Sequence, residues 1–154
     1  MTDENAFDLQ DFLPYLLNMA AEECSLAFQR YYKDRYGMLR QEWRVLFHLG
    51  RYGEMTATDI SRRARLHKTR ISRAVGALES RGMLRRDRLD DDRRVEMLQL
   101  TRAGRAAYED LSAEAEAYNA RLLGALDAEE REILFGMLRR LAAIDRKPEA
   151  RAGT

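Results

Sequence analysis

The chain has 154 residues, 45% of them hydrophobic and 34% charged, with a net charge of +1. That length suits one domain with helical extensions, and the wealth of Ala, Leu, Arg and Glu leans helical. Short apolar runs exclude a membrane-spanning helix, and one cysteine excludes an internal disulfide and any multi-cysteine metal site. The acidic opening MTDENAFDLQD is unlike a secretory or mitochondrial leader, so the cytoplasm is the expected compartment.

Apolar residues recur at three and four from Leu9 through Phe12, Leu13, Leu16 and Leu17 to Phe28 and Tyr31, which predicts an amphipathic helix over about 8–34. Pro14 should bend or restart it, and Gly37 closes it. A second helix carries Trp43, Leu46, Phe47 and Leu49, and Gly50 and Gly53 are expected to break it. Thr56 with Asp59 resembles a capping box, opening a short helix that holds Ile60 and Ala64 and stops near Arg65–Leu66.

After a brief turn, HKTRISRAVGALESRG forms the next helix. Its Ile71, Val75 and Leu78 share one narrow arc, Thr69, Arg73, Gly76 and Ser80 fall opposite, and Gly82 supplies the stop. MLRRDRLDDDRRVEMLQL has two β-compatible segments around a polar turn and reads as a hairpin. Thr101 caps a long helix running from Ala107 and Tyr108 to Leu122 and Leu126, and Asp127 starts a last helix from Ile133 to Ile144.

The expected fold is therefore mainly α (α+β): a winged helix-turn-helix with long flanking dimerisation helices. Residues 1–38 form an N-terminal dimerisation helix and 39–101 the winged helix-turn-helix. Residues 102–147 form C-terminal dimerisation helices and 148–154 a flexible tail. The flanking helices carry more apolar face than the small module covers, and a second copy of the chain is the simplest cover.

Charge is unevenly distributed. Between Arg62 and Arg94 there are twelve Lys or Arg against five Asp or Glu, whereas residues 1–30 hold six acids and one Arg. A basic segment of this kind aims at an anion. In a helix-turn-helix the second helix enters the major groove of double-stranded DNA with its N-terminal side chains at base edges. Here these are Lys68, Thr69, Arg70, Ser72 and Arg73. Arg73, opposite the apolar arc, offers guanine a bidentate fork, while Lys68, Thr69 and Ser72 suit phosphates. Arg93 and Arg94 at a loop tip suit the minor groove, with Asp92 bracing one of them. Three consecutive acids in an extended turn do not converge on one ion, so no metal is expected, nor any other cofactor.

The run from Thr56 to Gly104 resembles the core of the MarR family of bacterial transcription regulators. The likeness rests on Ser72-Arg73, Leu78-Glu79, Gly82, Asp92-Arg93-Arg94 and Leu100-Thr101 with Gly104, and on EWRVL (Glu42–Leu46) in the second helix. The departure is Arg40, near where the family often has a Ser or Thr cap. The resemblance implies an obligate homodimer reading a pseudo-palindrome. It also implies a pocket between the dimerisation helices and the winged helix, where small, often phenolic or anionic, ligands release DNA. Arg44, His48 and Arg51 share a face of the second helix and form a candidate carboxylate-binding stripe.

Three alternatives accompany this reading. An enzyme is disfavoured, because His48 and His67 lie on separate elements and no HExxH, GxSxG, P-loop or GxGxxG occurs. A winged-helix protein-interaction module without DNA binding conflicts with the basic segment. Some relatives in the family sense oxidants through a first-helix cysteine, which makes a thiol-based sensor through Cys24 the third alternative. Cys24 lies further along than that position, which falls near Tyr15, and it continues the apolar stripe as a packed thiol would.

Overall fold

The computed structural model describes residues 7–89 and 91–143, except the side chains of Asp92 and Arg93. Ile144 and the tail expected from 148 lie outside the described residues. The chain divides into two compact units, the first running through Ala115 and the second starting at Glu116.

In the first unit, a 3-10 turn at Leu9–Asp11 is followed by α1 (Leu13–Tyr36). Pro14 sits in the first turn of α1, where its missing N–H costs nothing, so the expected continuous helix is restarted after an extended Phe12. Gly37 ends α1 in the left-handed region at φ +63°, its N–H donating to the Lys33 carbonyl at 2.8 Å while Met38 donates to Tyr32 at 3.1 Å. This closure seats Met38, fully buried, under the last turn.

The next helix, α2 (Arg40–Tyr52), has Leu39 at its cap. With no hydroxyl there, the Glu42 carboxylate reaches back to accept the Leu39 N–H at 3.0 Å. Gly50 does not break α2, contrary to expectation. It lies inside the helix because a Cβ there would come within 2.3 Å of the Tyr108 ring. Only at Gly53, with φ +82°, does the chain turn away.

α3 (Ala57–Ala64) starts at Thr56, whose hydroxyl accepts the Asp59 N–H at 3.1 Å. α4 (Lys68–Ser80) starts at His67, whose Nδ1 accepts the Thr69 N–H at 3.2 Å, so His67 is the cap rather than part of the helix. β1 (Leu84–Leu89) and β2 (Asp92–Leu100) pair antiparallel, Leu84 opposite Leu100 and Arg88 opposite Glu96, with an irregularity between Arg88 and Leu89. Met55 adds an isolated bridge to Leu98, N–H to carbonyl at 3.2 and 2.8 Å.

The core of this unit is made where the apolar faces meet: Val45, Leu46 and Leu49 of α2, Ile60 of α3, Ile71, Val75 and Leu78 of α4, and Leu84 and Leu98 of the hairpin, all essentially inaccessible. Each such side chain contributes about 1.5–3 kcal/mol relative to exposure. α5 (Arg102–Leu122) buries Ala107 and Leu111 and sets Tyr108 against Phe47 of α2, ring centroids 5.3 Å apart. Thr101 ties the start of α5 to the turn after α4 by donating to the Gly82 carbonyl at 2.6 Å and accepts the Gly104 N–H at 3.1 Å. At the far end of α1, Arg35 pairs with Asp110 at 3.0 Å and Glu114 at 2.7 Å, and the Tyr36 hydroxyl donates to Asp110 at 2.7 Å. Burial and that carboxylate push the Tyr36 phenol up to about 12.

In the second unit, α5 stops at Leu122 rather than continuing to Leu126. A 3-10 turn at Leu123–Ala125 follows, and then α6 (Ala128–Ala143). Asp127 and Glu130 cap α6 reciprocally, each side chain accepting the other's N–H at 2.9 Å. No described residue of α6 is buried.

Candidate nucleic-acid interface

The turn between α3 and α4 is tight because Arg65 adopts the left-handed conformation at φ 52°. Ser61 holds it from both sides, its carbonyl accepting the Leu66 N–H at 3.2 Å and its hydroxyl donating to the Leu66 carbonyl at 2.6 Å. α4 then buries Ile71, Ala74, Val75 and Leu78 and leaves Lys68, Thr69, Arg70, Ser72 and Arg73 exposed. Helical periodicity thus separates a packed stripe from a basic one. Among the described residues, Lys68, Arg70 and Arg73 form no ion pair, whereas many other arginines of the basic segment do.

Those pairings redistribute the charge that the sequence presents as a block. Arg62 pairs with Asp59 at 3.3 Å, and Arg81 with Glu42. On the hairpin, Arg85 pairs with Asp87 at 3.4 Å, Arg86 with Glu79 at 3.0 Å and Glu96 at 3.1 Å, and Arg88 with Glu96 at 3.6 Å. The Glu96 hydrogen bond, followed by that of Glu79, raises the pKa of Arg86 against the opposing effect of burial. Among the described residues, Arg85, Arg86 and Arg88 of β1 are therefore partly neutralised, whereas Lys68, Arg70 and Arg73 at the start of α4 are not.

The backbone of Asp92, Arg93 and Arg94 belongs to the start of β2, so the arginines begin a strand instead of forming a loop tip. Arg94 is exposed. The expected brace by Asp92 and the side chain of Arg93 lie outside the described residues.

The proposed stripe on α2 divides. Arg44 is half-buried and donates to the Ala64 carbonyl at the end of α3, at 2.9 Å; burial, then the neighbouring Arg40, lowers its pKa. His48 Nδ1 lies 2.7 Å from the Arg44 carbonyl, and the Arg51 guanidinium sits 5.8 Å over the Tyr52 ring. Among the described residues, two of the open clefts, each of about 310 Å³, are not lined by these three residues. One lies between α2 and α4, bounded by Leu39, Gln41, Glu42, Arg70, Arg73 and Ala74. The other is bounded by Leu49, Gly53, Glu54, Gln99, Leu100 and Arg105. Cys24 is half-buried on α1.

Sequence reasoning missed Glu42, a carboxylate only 5% exposed, and its partner Arg81. The one signal in the sequence was an acid at the third position of a helix that lacks a capping hydroxyl. Reasoning on periodicity also missed that Trp43 Nε1 and Ser112 Oγ are buried with no hydrogen-bond partner among the described residues.

A helix-turn-helix with an exposed basic second helix, followed by an antiparallel hairpin, makes this a winged helix-turn-helix protein. The MarR family profile matches residues 36–95. A MarR family transcriptional regulator from Silicibacter pomeroyi is 33% identical, covers 90% of this chain and 98% of its own, and superposes with a TM-score of 0.77. The HTH-type transcriptional regulator YdgJ of Bacillus subtilis is 31% identical over 88 residues, 57% of this chain, and that stretch spans about half (54%) of its length. BpsR of Bordetella bronchiseptica, whose DNA binding is regulated by 6-hydroxynicotinic acid, is 22% identical and shares the fold. Its TM-score is 0.78, covering 89% of this chain and 97% of that one. The chain belongs to the MarR family of transcriptional regulators, which are DNA-binding proteins and not enzymes. No described helix is long and apolar enough to cross a membrane.

Proposed function

We propose that the protein is a homodimeric repressor, acting in the cytoplasm, that reads a pseudo-palindromic operator. In this reading α4 enters the major groove and the hairpin flanks it in the minor groove. A small aromatic or anionic molecule releases the DNA. The observation that carries the DNA reading is the exposed start of α4, where Lys68, Arg70 and Arg73 form no ion pair among the described residues and stand beside Thr69 and Ser72 on a helix packed through its buried face. Arg73 reads a guanine edge, and Lys68, Thr69, Arg70 and Ser72 hold phosphates. Arg93 and Arg94 serve the minor groove, with Asp92 as their brace.

The dimer is supported by large apolar side chains left exposed on α1 (Leu13, Leu16, Met19 and Leu26) and on α6 (Ile133, Met137, Leu138 and Leu141). A monomer would leave these faces in water. The effector is supported by the likeness of fold to BpsR, and Arg44, His48 and Arg51 are its candidate contacts. A gel shift tests the function: DNA flanking the gene should be retarded at concentrations where a random duplex of equal length is not. Equal retardation of both would remove the operator reading, and retardation of neither would leave a winged fold used for protein contacts.

A further inference from the structure

We propose that the ion pair of Glu42 and Arg81 is the joint that sets the angle of α4 against α1, making both positioning residues for DNA reading. The inference rests on the DNA reading above.

Three chain segments meet at this pair. Arg81 follows the last residue of α4, and one guanidinium nitrogen binds the Glu42 carboxylate at the start of α2. The other nitrogen donates to the Gly37 carbonyl at 2.7 Å, at the residue that ends α1. Glu42 in turn accepts the Leu39 N–H at 3.0 Å, so the same carboxylate caps α2 and receives α4. Only Gly37, Met38 and Leu39 separate α1 from α2. One planar guanidinium therefore spans the corner between a helix with an exposed apolar face and the helix with the basic face.

Stability alone does not account for such a pair. Withdrawing a carboxylate from water to 5% exposure costs about as much as its Coulombic attraction returns, and an apolar pair would hold the corner as well. Direction is what the pair adds, because a two-pronged donor fixes an angle as well as a contact. Glu42 also borders the cleft lined by Arg70 and Arg73, so Arg81 neutralises a carboxylate that would otherwise repel phosphate there.

The test uses the full chain, a duplex enriched from a randomised library by the wild type, and a random duplex of the same length. Affinities are read by fluorescence anisotropy, and helix content by circular dichroism at the assay temperature. Glu42→Gln keeps an acceptor for the Leu39 N–H and removes one negative charge. Random-duplex binding should therefore hold or tighten, while the enriched duplex is bound roughly tenfold more weakly as α4 loses its angle. Arg81→Lys keeps the charge but cannot fork between Glu42 and Gly37. It should spare random-duplex affinity and lose part of the preference, which gives the same test should Glu42→Gln fail to fold. Parallel changes on both duplexes, or an unchanged ratio in a folded variant, overturn the joint alone. If the wild type enriches no duplex at all, the DNA reading falls and the joint with it.

Discussion

Arg73 and Lys68 are both exposed on the first turns of α4, yet they answer differently to truncation. On the proposed reading, Arg73→Ala removes a fork aimed at a base edge. It should cost about 1–3 kcal/mol on the specific duplex and relax preference at one base pair per half-site. Lys68→Ala removes a proposed phosphate contact, so specific and random affinity should fall together and the salt slope should flatten by about one. Titrations at several salt concentrations separate the two, and an Arg73→Ala variant with intact preference would show that the wrong face has been assigned.

Gly104 makes a different claim, about packing. A Cβ there would lie 1.9 Å from the Met83 carbonyl oxygen, which cannot move without breaking the Thr101 N–H bond it accepts at 3.0 Å. Gly104→Ala should therefore destabilise the fold by about 1–3 kcal/mol, read as a lower midpoint in thermal unfolding. The Thr101–Gly104 motif was visible in the sequence, but its reason, a helix start pressed against the end of the preceding segment, was not. Glu42 and Arg81 were illegible as a pair because 39 positions separate them and neither breaks a periodic pattern.

Among the elements, periodicity carried most of the reading. The apolar arc of Ile71, Val75 and Leu78 identified the buried face of α4, and Thr56 marked the start of α3. Glycine misled at α2, since Gly50 is required by the Tyr108 ring and not by a turn. The bridge at Met55 had no signal, a single residue being too short for alternation. The hairpin was legible as strands but not as charge, because the carboxylates that pair with Arg85, Arg86 and Arg88 are placed only by the fold. On the proposed reading, truncating Arg94, which is exposed on β2, should weaken specific binding more than truncating Arg88, which has no assigned DNA contact. Equal losses for Arg94→Ala and Arg88→Ala in anisotropy titrations would remove the minor-groove role from the start of β2.

For the whole molecule, the proposed dimer asks the exposed apolar faces of α1 and α6 and the proposed reading face of α4 to serve one assembly. An effector releases DNA only by favouring the arrangement that does not fit, and its effect is limited by its differential affinity for the two. With Cys24 half-buried on α1, regulation by ligand rather than oxidant predicts that Cys24→Ser keeps DNA binding and that peroxide leaves both proteins bound. Peroxide release of the wild type alone, seen in a gel shift, would put the thiol in place of the ligand.

Hydroxyl-radical footprinting of the protein on its enriched duplex tests the central claim most directly, because it records grooves and symmetry together. Two related patches of protection should appear about one helical turn, roughly 10 base pairs, apart and symmetric about a pseudo-dyad, each flanked by minor-groove protection. Arg73→Ala should weaken both patches equally. A single patch, or protection without two-fold symmetry, would contradict a dimer that reads DNA through paired copies of α4.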